Sequence, residues 1–270
     1  MIKITNYHKK FNAGTINEVY ALQNINLEIK EGEFVTVIGT NGSGKSTLLN
    51  AIAGSFYPDE GEIYIDNKNV TYRKDFERAR SIARVFQNPF SGTAPNMTIA
   101  ENLHIANLRG LPRYPKVSLN YKRKLVYKEE VRMLEMQLED RLNNEIGSLS
   151  GGQRQAITLL MAVIRKPKVL LLDEHTAALD PKSASQVINL TKRFVERDSL
   201  TTLMVTHSMK QALELGNRTI MMHRGKIIED IPENQKRTMD QQDLLDRFSE
   251  IRKTELLTED MLKELRFEYI

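Results

Sequence analysis

Residues 34–54 open with Phe34-Val35-Thr36-Val37-Ile38, continue as Gly39-Thr40-Asn41-Gly42-Ser43-Gly44-Lys45-Ser46, and run through Ala53 to Gly54. The first five form a short apolar run ending in glycine, the pattern of a strand buried on both faces of a parallel sheet. Ser46 to Ala53 reads as a helix, with Gly54 as its left-handed stop. Strand, glycine-rich loop and helix in that order fit the phosphate-binding loop pattern. The glycines let successive backbone N–H groups turn inward, and the helix aims its positive end at the phosphates. Gly39, Thr40, Asn41, Gly42, Ser43 and Gly44 are therefore candidate phosphate-wrapping residues, with Thr47 in the helix turn that follows. Lys45 would reach the β- and γ-phosphates of a nucleotide, and the Ser46 hydroxyl would bind Mg²⁺. The pattern arises by chance in roughly 1% of chains of this length, and the flanking strand and helix set it apart from a flexible Gly/Ser turn.

A second buried strand, Val169-Leu170-Leu171-Leu172, delivers Asp173 and Glu174 at its carboxyl end. Ligands of open α/β sheets sit at that end. Two adjacent acids repel unless a cation is present, so Asp173 suits Mg²⁺ and Glu174 suits a general base or water-positioning role.

The surrounding chain is organised around these strands. The first 30 residues alternate apolar and polar (Ile2-Lys3-Ile4, then Leu22 to Ile29), which predicts half-buried antiparallel strands. Further strands are expected at Glu62–Ile65, Ile82–Phe86, Thr202–Val205, and in a closing hairpin of Thr219–Met222 and Lys226–Ile228 around Arg224-Gly225. Between about Asn88 and Lys166 helical periodicity replaces the strand signal. Thr98-Ile99-Ala100-Glu101 reads as a capped helix start and Leu125 to Leu138 as an amphipathic helix. Pro181 marks the first turn of another helix. Pro232 and Asn234 mark a break before a polar tail of helical character. Alternating strands and helices predict a mostly parallel sheet covered on both faces.

Composition narrows the function classes. At 40% hydrophobic and 27% charged, the 270 residues have ordinary globular composition, which excludes fibrous and disordered classes. No window approaches the 18 apolar residues of a membrane span. Met1 to Lys10 is charged and lacks the apolar core of a secretory signal. The absence of cysteine excludes disulfides, thiolate metal sites and a Cys nucleophile. These features predict a cytoplasmic protein. The net charge is +4, but Glu229 to Ile270 carries 12 acidic and 7 basic residues, leaving a basic body that suits an anionic ligand.

Leu149-Ser150-Gly151-Gly152-Gln153 decides the family. A chance match to all five is on the order of one in several thousand chains. With the motifs above, in order, the chain resembles the nucleotide-binding subunit of an ATP-binding cassette (ABC) transporter over about residues 1–230. The resemblance implies an ABC-type P-loop NTPase fold: a mostly parallel core, an N-terminal antiparallel β subdomain and an α-helical subdomain inserted at about 88–166. Residues 231–270 are left as a C-terminal helical tail.

The resemblance also assigns roles. Gln87, in Val85-Phe86-Gln87-Asn88-Pro89, matches the Q-loop glutamine that touches Mg²⁺ and the attacking water. Ser150, Gly151, Gly152 and Gln153 match the signature that binds ATP held by the opposite subunit. Asp180, in Ala178-Leu179-Asp180, matches the D-loop at the dimer seam. His207 matches the switch histidine near the γ-phosphate, although on the residues alone it could cap a strand end. Phe11, in Lys9-Lys10-Phe11, fits the aromatic that stacks on adenine, with Tyr20 as the alternative. One departure is His175, where the family most often has proline.

The implied function is that of an Mg-ATP hydrolysing subunit, working as a head-to-tail homodimer on the cytoplasmic face of the membrane. It would energise a separate integral membrane permease, with a solute-binding protein as a further partner in uptake systems. The 88–166 insertion resembles small-solute importers, of amino acids or related compounds. The alternatives are a lipoprotein or drug exporter subunit, or a soluble cassette ATPase acting on ribosomes or DNA. One cassette without sustained heptads argues against this last class and against nucleic acid. Arg113 to Lys128, with six basic residues and Tyr114, Tyr121 and Tyr127, reads as a solvated helix face, with lipid headgroups as the alternative ligand.

Overall fold

The computed structural model describes residues 1–111 and 119–247. The chain starts with β1 (Ile2–Phe11), β2 (Val19–Ile29) and β3 (Phe34–Gly39), and the glycine loop leads into α1 (Lys45–Ala53). Next come β4 (Glu60–Ile65), β5 (Lys68–Asn69), α2 (Asp75–Arg78) and β6 (Ile82–Val85). The helices α3 (Ile99–Asn107), α4 (Tyr121–Arg132) and α5 (Gly151–Val163) follow. The last part holds β7 (Val169–Asp173), α6 (Pro181–Asp198), β8 (Thr201–Val205), α7 (Met209–Glu214), β9 (Arg218–His223), β10 (Lys226–Ile231) and α8 (Glu233–Lys236).

The strands form two sheets. One is antiparallel, in the order β2-β1-β4-β5. The other runs β10-β9-β3-β8-β7-β6, parallel from β9 to β6 and closed by the antiparallel hairpin β9–β10. The fold class expected from the sequence is the one found.

Side-chain alternation along the parallel strands splits the interior in two. Val169 and Leu171 of β7, with Leu203 and Val205 of β8, face Leu48, Leu49 and Ile52 of α1 and the antiparallel sheet. Leu170, Leu172 and Met204 face the opposite way, toward Ile157 and Leu160 of α5, Phe194 of α6 and Leu103 of α3. Each such residue contributes about 1.5–3 kcal/mol by burial, so α1 and α5 are fixed on opposite faces of one sheet. The start of α1 lies at its carboxyl edge, directly after β3.

The central helices begin where their caps dictate. Glu101 N–H donates to Thr98 Oγ1 (3.2 Å) and Thr98 N–H to Glu101 Oε2 (2.8 Å), so α3 starts as expected. The helix expected over Leu125–Leu138 is displaced. Asn120 caps it earlier, accepting from Arg123 N–H at 3.0 Å, and it ends at Arg132. Glu135 and Gln137 then adopt left-handed φ of 57° and 56°. Leu134 and Leu138 are still buried, so apolar spacing persisted through turns that break the helix. Of the basic run, Arg113, Tyr114 and Lys116 lie outside the described residues. Tyr121 is exposed and Tyr127 is buried beside His104.

The first part of the expected tail packs on its own subunit. Ile231 and Leu244 are buried with Ile38, Ala212 and Met221, and Lys236 Nζ donates to Gly216 O at 3.1 Å. Residues 248–270 of the expected helical tail lie outside the described residues. Among the described residues, no helix is long and apolar enough to cross a membrane.

Candidate functional site

The glycine loop joins β3 to α1 as the sequence predicts, and Gly44 must be glycine. Its φ is +99°, and a Cβ there would stand 2.6 Å from Ala21 O. The loop is buttressed from far along the chain by Gly225 N–H, which donates to Ser43 O at 3.0 Å. The N-terminus of α1 has no side-chain cap and no acid in its first turn. Its unpaired N–H groups and positive dipole end are therefore available to an anion. Ser43 Oγ is buried and has no hydrogen-bond partner. Lys45 Nζ is folded back on the loop, donating to Gly39 O (2.9 Å) and Thr40 O (3.0 Å). Burial lowers the Lys45 pKa, with Glu174 and Asp173 acting to raise it. An orphaned hydroxyl, an uncapped helix and a cation held only by neutral carbonyls together fit a phosphate chain.

The acidic strand end meets this loop directly. Ser46 Oγ donates to Asp173 Oδ1 at 2.9 Å. Two hard oxygens side by side are the donor type that Mg²⁺ takes. Glu174, one residue on, has a left-handed φ of 46°. Its Oε1 lies 2.6 Å from Nε2 of His207, at the end of β8. The His207 loop is tied back by Thr206 Oγ1, which donates to Gln211 Oε1 (2.8 Å), and by Gln211 Nε2, which donates to Thr176 Oγ1 (3.4 Å). Gln87 is exposed just past β6.

Lys45, Ser46, Asp173, Glu174 and His207 thus come together, whereas the signature stands apart. Ser150 caps α5: Gln153 N–H donates to Ser150 Oγ and Ser150 N–H to Gln153 Oε1, both at 3.3 Å. A Cβ on Gly152 would stand 2.6 Å from Ser183 Cβ and Oγ of α6, so that glycine sets how closely α5 approaches α6. Asp180 caps α6, accepting from Lys182 and Ser183 N–H at 3.1 Å. Asn41 and Gly42 form the exposed crest of the loop, and Thr47 is half-buried in α1.

Phe11 lies opposite Val19 in the β1–β2 ladder, near Ala21. Its ring meets Phe56 edge-on, with centroids 5.1 Å apart. Tyr20 is instead hydrogen-bonded to Nδ1 of His8, and Lys10 Nζ covers its ring at 5.0 Å.

Sequence reasoning missed Arg84 and Asn50. Arg84 Nη2 donates to Asp173 Oδ2 at 2.7 Å, and Nη1 bonds Asn50 Oδ1. The available signal was an arginine in the otherwise apolar run Ile82–Phe86. His175 proves to be a core residue: it is buried, and its Nε2 lies 3.0 Å from Thr191 Oγ1. Burial pushes its pKa down to about 4.

The family model described as "ABC transporter" matches residues 22–177. The chain belongs to the ABC transporter family. It is an ATP-binding cassette ATPase. It is 40% identical over 250 residues to the tyrosine transport ATP-binding protein of Clostridioides difficile, covering 92% of this chain and 98% of the relative. It is 39% identical over 228 residues to a probable sulfate/thiosulfate import ATP-binding protein of Chlorella vulgaris, covering 84% and 89%. Among solved structures it is similar to a dimeric post-hydrolysis cassette of Methanocaldococcus jannaschii bound to ADP and Pi. That similarity has a TM-score of 0.73 at 34% identity, covering 86% of this chain and 99% of the other.

Proposed function

We propose that this cassette energises uptake of a small solute of the amino-acid class through a separate membrane permease, on the cytoplasmic face of the membrane. The observation that carries the substrate class is the end-to-end match to a relative named for tyrosine transport. A solute-binding protein is the further partner that uptake implies. In this reading residues 1–230 are the ATPase unit, with the helical part at 88–166, and 231–270 are a tail.

Two copies join head to tail, so that Ser150, Gly151, Gly152 and Gln153 of one meet the nucleotide on the other's loop, with Asp180 at the seam. The dimeric relative supports this arrangement. Phe11 stacks on adenine, and residues 39–47 wrap the phosphates. Lys45 exchanges the Gly39 and Thr40 carbonyls for the β- and γ-phosphate oxygens. Ser46, Asp173 and Gln87 would hold Mg²⁺, which when bound neutralises charge on those oxygens. Glu174 orients the attacking water and takes its proton, and His207 turns from Glu174 to the γ-phosphate. These roles follow from charge placed where it develops in the transition state.

The test is uptake of labelled tyrosine by cells lacking this gene, complemented with the wild type or with Glu174→Gln. Uptake restored by the wild type alone supports the reading. Unchanged uptake of tyrosine and other amino acids after gene loss overturns the substrate class. Capture of Glu174→Gln with Mg-ATP from solubilised membranes should bring down a polytopic membrane protein. Recovery of ribosomes or DNA-repair factors instead would favour the soluble class.

A further inference from the structure

Arg84 lies on β6 between Ala83 and Val85, which face the helical core. Its own side chain takes the opposite face, toward α1. There both carboxylate oxygens of Asp173 are engaged: Oδ1 by the Ser46 hydroxyl and Oδ2 by Arg84 Nη2 at 2.7 Å. The pair is largely shielded, with side-chain exposures of 15% for Arg84 and 12% for Asp173. Nη1 is anchored on Asn50 of α1, while Nε is buried without a partner. The guanidinium carbon also sits 4.7 Å from the centre of the Phe86 ring, the residue before Gln87.

We propose that Arg84 is a positioning residue: a built-in counter-charge on Asp173 that weakens divalent-cation binding in the nucleotide-free cassette and couples cation arrival to the Phe86–Gln87 segment. This rests on the assignment of Asp173 as a metal-holding residue. A guanidinium and a divalent cation drawn to one shielded carboxylate repel each other, and low local dielectric strengthens that repulsion. When a cation arrives, Arg84 swings off Oδ2 and its contact with the Phe86 ring changes. The metal site and the Q-loop thereby share one moving part.

The test uses the full chain without nucleotide and Mn²⁺ alone as the probe, followed by electron paramagnetic resonance. Arg84→Met should bind Mn²⁺ about tenfold tighter than wild type or more, and Arg84→Lys should stay near wild type. Adding Asp173→Asn to Arg84→Met should abolish the gain. Equal Mn²⁺ affinity in folded Arg84→Met and wild type overturns the proposal. If Arg84→Met does not fold, Asn50→Ala decides: loosening the Nη1 anchor should raise Mn²⁺ affinity about two- to threefold, and unchanged affinity overturns it. The chain has no tryptophan, so Phe86→Trp supplies a single reporter. Mn²⁺ should shift its emission, and the shift should vanish with Arg84→Lys. A silent reporter overturns the coupling. Binding of a fluorescent ATP analogue without metal is measured alongside. Its failure in wild type would strike the nucleotide reading itself, independently of how Arg84 behaves.

Discussion

Two helices of this cassette begin at glycine-rich turns, and their first turns are finished in opposite ways. Helix α1 starts at Gly44 with no side-chain cap, beside a buried hydroxyl that has no partner. Helix α5 starts at Ser150 with a reciprocal capping box, whose bonds are long at 3.3 Å. The first terminus is incomplete within its own chain and calls for an anion. The second carries a reciprocal capping box held by long bonds, which on the proposed reading a ligand presented from outside would displace at small cost. On the proposed reading, the difference implies an order: nucleotide would bind at α1 in a single subunit, and α5 would close over it afterwards.

The sharpest way to break this comparison is Glu174→Gln. Turnover should fall at least about 10²-fold, the contribution expected of a positioned base, while ATP binding persists and a dimer accumulates in size-exclusion chromatography with light scattering. Next in size, Lys45→Ala should weaken nucleotide binding by the monomer about 10- to 100-fold, since it removes charge-assisted bonds of about 1.5–3 kcal/mol. Equilibrium titration measures it. Changes at α5 should leave that monomer affinity intact. Gly152→Ala should cost about 1–3 kcal/mol of stability by pushing α5 off Ser183, and should abolish dimer closure. A loss of monomer affinity in this variant would erase the distinction between the two helices.

A pH series sharpens the comparison from the strand end between them. His175 is neutral in the fold, with a pKa near 4 against 6.5 when unfolded. The unfolded chain therefore binds the extra proton first, and stability is lost as pH falls from 6.5 toward about 4. Urea unfolding at pH 5 should show about 2 kcal/mol less stability than at pH 7 from this group. His175→Gln should flatten that slope. The smallest effect belongs to Ser150→Ala, about 1 kcal/mol from the lost cap, again with monomer affinity unchanged.

How much of this was readable in advance follows the range of each interaction. The glycine loop, the Asp173–Glu174 strand end and the Thr98 and Pro181 helix starts are local patterns, and the structure has each where the residues put it. The end of α4 was misread because Leu134 and Leu138 keep apolar spacing through left-handed turns at Glu135 and Gln137. Arg84 was missed because its meaning lies across the sheet, on Asn50 and Asp173, which no window of sequence contains. His175 stood out as a departure, yet only tertiary packing against Thr191 turns it into a core residue.

The strand order carries a consequence for biosynthesis. β3 is the first strand of the parallel sheet to leave the ribosome, but its neighbours β8 and β9 are nearly the last. The hydrogen bond from Gly225 to the loop at Ser43 comes later still. A nascent chain released before β8 at Thr201–Val205 therefore carries a Phe-Val-Thr-Val-Ile strand with both edges bare, and one released before Gly225 carries a loop without its buttress. Such long-range pairing folds slowly and exposes strand edges to aggregation. The sheet and the loop buttress are completed only by segments far downstream of β3, so a ligand of the loop cannot guide the early folding of the strand that leads into it.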